Sequence, residues 1–276
     1  MVQVSASIFI LFSFILSLIS TGLINELSYI SQFIFNSSLF LKIGAAPFHF
    51  WYPGIAEGLR WINLLILITW QKIAPIILII YNFHINLYFC LIILISITVR
   101  GLKRWNQTRI KKIIALSSIN HIGWIMAIII FNQSFWIFYF IIYTLISINI
   151  VLVFNKFNIK TLKDLFIIFR ANKSKKFYFF LNLISLGGIP PFLGFLPKWI
   201  ILKTLIENNI YILAFLIIFL TLIILFIYMR LMIQPIILKI AEKKNFLKTE
   251  EPVFIFIINW VNITGLILFT IISNIY

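Results

Sequence analysis

Long apolar runs alternate with short polar or Pro/Gly breaks along all 276 residues. A run of about 20 apolar residues crosses the hydrocarbon core of a bilayer as a helix. The pattern predicts about nine spans, near 4–20, 28–46, 61–82, 85–100, 110–131, 134–154, 177–196, 209–233 and 253–274. The runs are continuously apolar rather than alternating, which excludes a β-barrel. The expected fold is all-α, a polytopic transmembrane helix bundle.

Two spans carry breaks of one design. Residues 41–53 read Leu-Lys-Ile-Gly-Ala-Ala-Pro-Phe-His-Phe-Trp-Tyr-Pro, and 187–199 read Gly-Gly-Ile-Pro-Pro-Phe-Leu-Gly-Phe-Leu-Pro-Lys-Trp. Each has Pro-Phe and then a second proline at equal spacing: Pro47 to Pro53, and Pro191 (after Pro190) to Pro197. Proline removes a helical hydrogen bond and clashes with the preceding turn. Backbone freed in this way is tolerated in a membrane only where protein or water covers it. Pro75, inside the third span, predicts a kink there. Spans two and seven run in opposite directions, so their matching breaks are what an inverted repeat leaves, and paired breaks of this kind mark ion pathways. The repeats divide as 1–83, a remnant of the first, and 84–235, the second, with 236–276 a C-terminal span.

Composition strengthens the membrane reading. The chain is 62% hydrophobic with a mean hydropathy of +1.09, against about 45–50% apolar in soluble domains. The net charge of +16 would suggest nucleic acid in a soluble protein. Here the basic residues fall in three alternate links: Arg100 to Lys112, Lys156 to Lys176, and Lys239 to Lys248. They read as orientation charges, with the N-terminus inside, the C-terminus outside and no nucleic-acid partner. The first run lacks a basic flank and a cleavage pattern, so it reads as a retained span. Residues 156–173 alternate basic and apolar positions, as in a helix lying in the interface. Ile, Phe, Asn and Lys are abundant, and their A/T-rich codons suit an organellar genome.

Cofactor chemistry finds little support. Cys90 is the single cysteine, so neither a disulfide framework nor a cysteine metal site is available. The three histidines are too far apart for a zinc site. No Gly-rich dinucleotide fingerprint or phosphate loop occurs. Any redox centre belongs to another chain.

The candidate chemistry lies in ionisable groups inside spans, where a charge costs about 2.5–3.5 kcal/mol on insertion scales. Lys42 stands deep in its span before the first break. Lys72 stands mid-span in Thr-Trp-Gln-Lys-Ile-Ala-Pro. A desolvated lysine is a group that can gain and lose a proton. Lys198 reads equally as such a group or as a snorkelling interfacial lysine. His121 has Ser117, Ser118 and Asn120 for company and suits a hydrated relay. His49 reads as a cap for freed carbonyls or as a proton carrier; His84 reads as a solvated loop residue. Lys111 and Lys112 read as orientation charges. Asp164, Glu242, Glu250 and Glu251 fall in loops, and Glu26, Glu57 and Glu207 lie near links. No carboxylate is placed mid-membrane, so an acid that modulates a lysine would come from a neighbouring chain.

The stretches 42–51, 69–75, 106–108, 117–124 and 185–199 together resemble the mitochondrial NADH-ubiquinone oxidoreductase chain 2 family, antiporter-like subunits of respiratory complex I. The resemblance covers the chain in order to about Trp199, with the last third alike mainly in hydropathy. It implies an antiporter-like fold with two broken helices in a truncated inverted repeat. It implies a core subunit of a proton-translocating NADH:ubiquinone reductase in the mitochondrial inner membrane. No cofactor would be bound by this chain; NADH, flavin, iron–sulfur clusters and ubiquinone would belong to other subunits. Its partners would be other membrane-arm subunits, including neighbouring antiporter-like chains, and lipids such as cardiolipin. By motif, Lys42 matches the lysine of the first broken helix, Lys72 the central lysine, and Lys198 the lysine leading towards the outer exit. His121 matches a histidine of the connecting hydrophilic axis. The family's usual layout has two further helices upstream, the second bearing a glutamate that pairs with the Lys42 position. This sequence starts after them, as a shortened version would. A cation/proton antiporter component and a non-pumping spacer of the membrane arm are the alternative readings.

Overall fold

The computed structural model describes residues 1–20, 25–82, 87–104, 107–164 and 181–237, with Trp260 and Gly265. These residues form helices α1 (Val2–Ser20), α2 (Asn25–Ile43), α3 (Trp51–Gly58), α4 (Trp61–Ile68), α5 (Trp70–Tyr81), α6 (Leu87–Arg104), α7 (Ile110–Ile129) and α8 (Phe135–Lys156). Helical residues 181–187, α9 (Phe195–Glu207) and α10 (Tyr211–Ile237) follow. Among them, Val2–Ile19, Trp61–Tyr81, Ile110–Ile129 and Phe135–Lys156 are each long and apolar enough to cross a membrane. The expected last span apart from Trp260 and Gly265, His84, and the basic residues of 165–180 and 238–250 lie outside the described residues.

α7 is the centre of the bundle. It packs against α3, α4, α6, α8 and α9, and every one of its residues except Lys111 and Lys112 is buried. With no water to drive helices together, close approach depends on small residues. Gly123 supplies one: a Cβ there would stand 2.6 Å from Ser96 Oγ and 3.0 Å from Ile97 on α6. The outer helix α1 leaves most of its apolar surface exposed, including Leu11, Phe14 and Leu18.

Three expectations change. The second span ends at Ile43 rather than 46, because Gly44 adopts φ +77° and stops the helix. The seventh stops near Gly188, φ +78°, and the polar-looking link beyond it is the helix α9. The third span bends at Thr69, before Pro75 rather than at it. Proline 75 has no N–H for the preceding turn, and the Thr69 hydroxyl bonds back to the Leu65 carbonyl at 2.8 Å. That back-bonding bends helices, and the Lys72 N–H turns to the Thr69 carbonyl three residues back, at 3.2 Å.

The start of the expected interfacial helix is visible at 161–164. Thr161 N–H donates to Asp164 Oδ2 at 2.9 Å, and Asp164 N–H donates to the Thr161 hydroxyl at 3.3 Å. This reciprocal pair is a capping box. The Thr161 N–H, helped by the Thr161 hydroxyl, the Lys160 N–H and the Lys160 charge, holds the Asp164 carboxyl below the usual carboxylate range.

Candidate functional site

The two breaks are built alike, 144 positions apart. In each, a glycine with φ near +78° ends the helix, and a cis peptide precedes the proline three residues later: Ala46–Pro47 and Pro190–Pro191. Only glycine takes this left-handed conformation at little cost. In each, the N–H after the glycine reaches back five residues, Ala45 to the Phe40 carbonyl at 3.0 Å and Ile189 to the Ile184 carbonyl at 3.5 Å. This is a Schellman ending.

The remaining freed carbonyls are capped differently. At the first break, Trp51 Nε1 donates to the Leu41 carbonyl at 3.1 Å, and the Gln3 side-chain amide to that of Lys42 at 3.3 Å. At the second, Lys198 does the work: its Nζ donates to the Gly187 carbonyl at 2.6 Å and the Leu186 carbonyl at 3.4 Å. An ammonium here also meets the negative end of a helix dipole. The position equivalent to Lys198 in the first break is Gly54, where a Cβ would touch nothing.

Lys72 is 2% exposed. Its Nζ donates to the Ser118 carbonyl on α7 at 3.3 Å and lies 5.4 Å from the Tyr52 ring centre and 5.7 Å from that of Tyr143. Burial opposes the ammonium form, while the carbonyl and two π faces favour it. No carboxylate among the described residues pairs with it. The Ser118 hydroxyl donates to the Tyr52 hydroxyl at 3.2 Å, which ties this corner to the first break.

One α7 face continues the line. Ser118, His121 and Trp124 follow at three-residue spacing, about 9 Å of helix in all. The His121 ring lies 4.5 Å from that of Tyr143, and His121 Nδ1 shares a 2.8 Å hydrogen bond with the Tyr139 hydroxyl. Lys198 Nζ lies 5.6 Å from the Trp124 ring centre. Thus three of the four expected groups, Lys72, His121 and Lys198, are threaded along one buried helix. Beside them, the Asn120 amide and the Trp124 indole N–H are buried without a hydrogen-bond partner among the described residues.

Lys42 stands apart. It is half-buried at the end of α2, and its side chain forms no ion pair with a described residue. Pro47, Pro190 and Pro191 are exposed at the breaks, whereas Pro75 is buried in α5. His49 is buried after the first break, with Nδ1 3.2 Å from the Pro47 carbonyl and Nε2 2.6 Å from Lys103 Nζ. Its ring thus bridges a main-chain carbonyl of the break and the Lys103 amine on α6. Lys111 and Lys112, expected as orientation charges, make specific contacts: Lys111 donates to the Leu59 carbonyl, and Lys112 pairs with Glu57 at 2.7 Å. No cluster of metal-ligating side chains occurs among the described residues.

Sequence reasoning missed Tyr52, Tyr139, Tyr143 and Lys103. Tyr52 had a usable signal, its place directly after a break.

Residues 2–224 match the family described as NADH:quinone oxidoreductase/Mrp antiporter, transmembrane. NADH-ubiquinone oxidoreductase chain 2 of Aedes aegypti is 45% identical over 236 residues, 84% of this chain and 69% of that protein. The Anopheles gambiae protein of the same name is 41% identical over 277 residues, 98% of this chain and 80% of its own. Among solved structures, a chain of respiratory complex I from Thermus thermophilus aligns with a TM-score of 0.80 at 21% identity. That alignment covers 97% of this chain and 63% of the bacterial one.

Proposed function

The chain belongs to the NADH:quinone oxidoreductase/Mrp antiporter family, among the NADH-ubiquinone oxidoreductase chain 2 proteins, and from this premise we propose that it translocates protons as a membrane-arm subunit of respiratory complex I. The complex is a proton-translocating NADH:ubiquinone reductase, and this chain contributes the proton path rather than the electron path. The observation that carries the reading is the buried line from Lys72 through Ser118 and His121 to Trp124 and Lys198.

Lys72 is the group that gains and loses the proton, poised between burial and its carbonyl and π contacts. His121 passes it on, with Tyr139 and Tyr143 holding the ring. Asn120 offers a donor and an acceptor to water along the same helix. Lys198, bound to main-chain carbonyls at the second break, is the group nearest the outer exit. Lys42 has a separate role at the first break, facing a neighbouring chain. Conformational or electrostatic coupling from quinone reduction biases these sites. The two breaks belong to inverted repeats, 1–83 and 84–235.

The chain sits in the mitochondrial inner membrane with its basic links and N-terminus on the matrix side. Neighbouring antiporter-like subunits cover its exposed apolar faces, together with lipids such as cardiolipin. Replacing Lys72 by Met is expected to lower proton translocation per NADH oxidised while the complex still assembles. Unchanged translocation in a fully assembled complex overturns the proposal.

A further inference from the structure

At the joint between α3 and α4 the surface opens into a cavity of about 500 Å³, lined by Arg60, Asn63, Lys111, Asn155, Asn158 and Lys160. Three cations and three amides line it, without a carboxylate. Of the acids beside it, Glu57 is turned to Arg109 and Lys112, and Asp164 accepts from the Lys160 and Thr161 main-chain N–H groups. Lys111 is anchored, since its Nζ donates to the Leu59 and Glu57 carbonyls. Lys160 stands close enough for the two charges to repel, so an anion between them relieves a real cost. The first turn of α4 borders the same space with no side-chain cap on its N–H groups, which adds the positive end of a dipole.

The cavity mouth also has an apolar side. Ile62, which lines it, is 61% exposed, and Ile66, one turn further along α4, is 43% exposed. A free phosphate would leave this stripe uncovered; a molecule with an anionic head and a hydrocarbon tail matches both parts. Basic pockets between transmembrane helices take such headgroups. We propose that this cavity binds the phosphate headgroup of an anionic phospholipid, with an acyl chain lying along Ile62 and Ile66. The inference deepens the lipid partnership proposed above and is independent of the proton relay.

The test uses the intact complex in phosphatidylcholine nanodiscs carrying a photoactivatable cardiolipin, with labelled peptides mapped by mass spectrometry. Labelling is expected within residues 60–66. Lys160→Gln should reduce it about fivefold, and Arg60→Gln with Lys160→Gln about thirtyfold, as two surface cations would. The charge-preserving pair Arg60→Lys with Lys160→Arg should restore it, which separates charge from a folding defect. Labelling that ignores the double substitution, or that a photoactivatable phosphatidylcholine reproduces, overturns the proposal. So does displacement by inorganic phosphate alone, or cross-linking of 60–66 to a neighbouring subunit in place of lipid. Cardiolipin labelling elsewhere on the complex would leave the general lipid partnership standing while this site falls.

Discussion

Tyr143 stands between Lys72 and His121, its ring centre 5.7 Å from the lysine Nζ and 4.5 Å from the imidazole. A ring face attracts an ammonium by about 0.5–2 kcal/mol, so it favours the protonated lysine without supplying a competing negative charge.

If the face matters, Tyr143→Phe should keep proton translocation within about twofold of normal. Tyr143→Leu, which removes the π system, should slow it about two- to thirtyfold. The measurement is proton translocation per NADH oxidised in assembled complex. Equal behaviour of the Phe and Leu variants would remove the ring from the relay.

Lys198 has two separable jobs, capping carbonyls and carrying charge. Lys198→Gln retains a donor for the Gly187 carbonyl and should assemble, yet translocate fewer protons. Lys198→Leu leaves two carbonyls without a donor, at about 1–3 kcal/mol each, and should also reduce the amount of assembled complex. Quantifying assembly by native gel beside translocation distinguishes them. A Gln variant that pumps normally would reduce Lys198 to a helix cap.

The Asp164 capping box gives a pH signature. Its carboxyl is held low chiefly by the Thr161 N–H, so the anion contributes stability above the ordinary carboxylate value of about 3.9. That contribution is lost as pH falls through the lower folded value. Hydrogen exchange at the Lys160 and Thr161 amides should therefore be faster in Asp164→Asn at neutral pH. The difference should vanish once both side chains are neutral in acid. A difference that persists there would assign the effect to something other than the carboxylate.

The lysines were legible in the sequence because an amine in an apolar run is costly and has to be there for a reason. The tyrosines were not. Among 30 phenylalanines, 10 tyrosines and 8 tryptophans, Tyr139 and Tyr143 look like any aromatic in a span, and only the packing of α8 on α7 selects them. Helix α9 was hidden for another reason. The expected seventh span runs through the Gly-Gly-Ile-Pro-Pro break to 196, and the stretch beyond it, with Lys198, Lys203 and Glu207, reads as a link. Its one forward signal was the Lys203–Glu207 pair at helical spacing, 3.7 Å apart in the structure. His49 and Lys103 belong to stretches with separate explanations, a break and a basic link, and nothing in either points to the other. Lys42 was legible in position, and the structure leaves it at the end of α2, off the line that joins the other three groups.

Lys72 and Lys198 both bind main-chain oxygens, those of Ser118, Leu186 and Gly187. Every amino acid brings that oxygen. A genetic screen for suppressors of either lysine therefore has no side-chain ligand at these three positions to exchange. Revertants should arise at the glycine and aromatic positions that shape each pocket, or at the lysine codon itself.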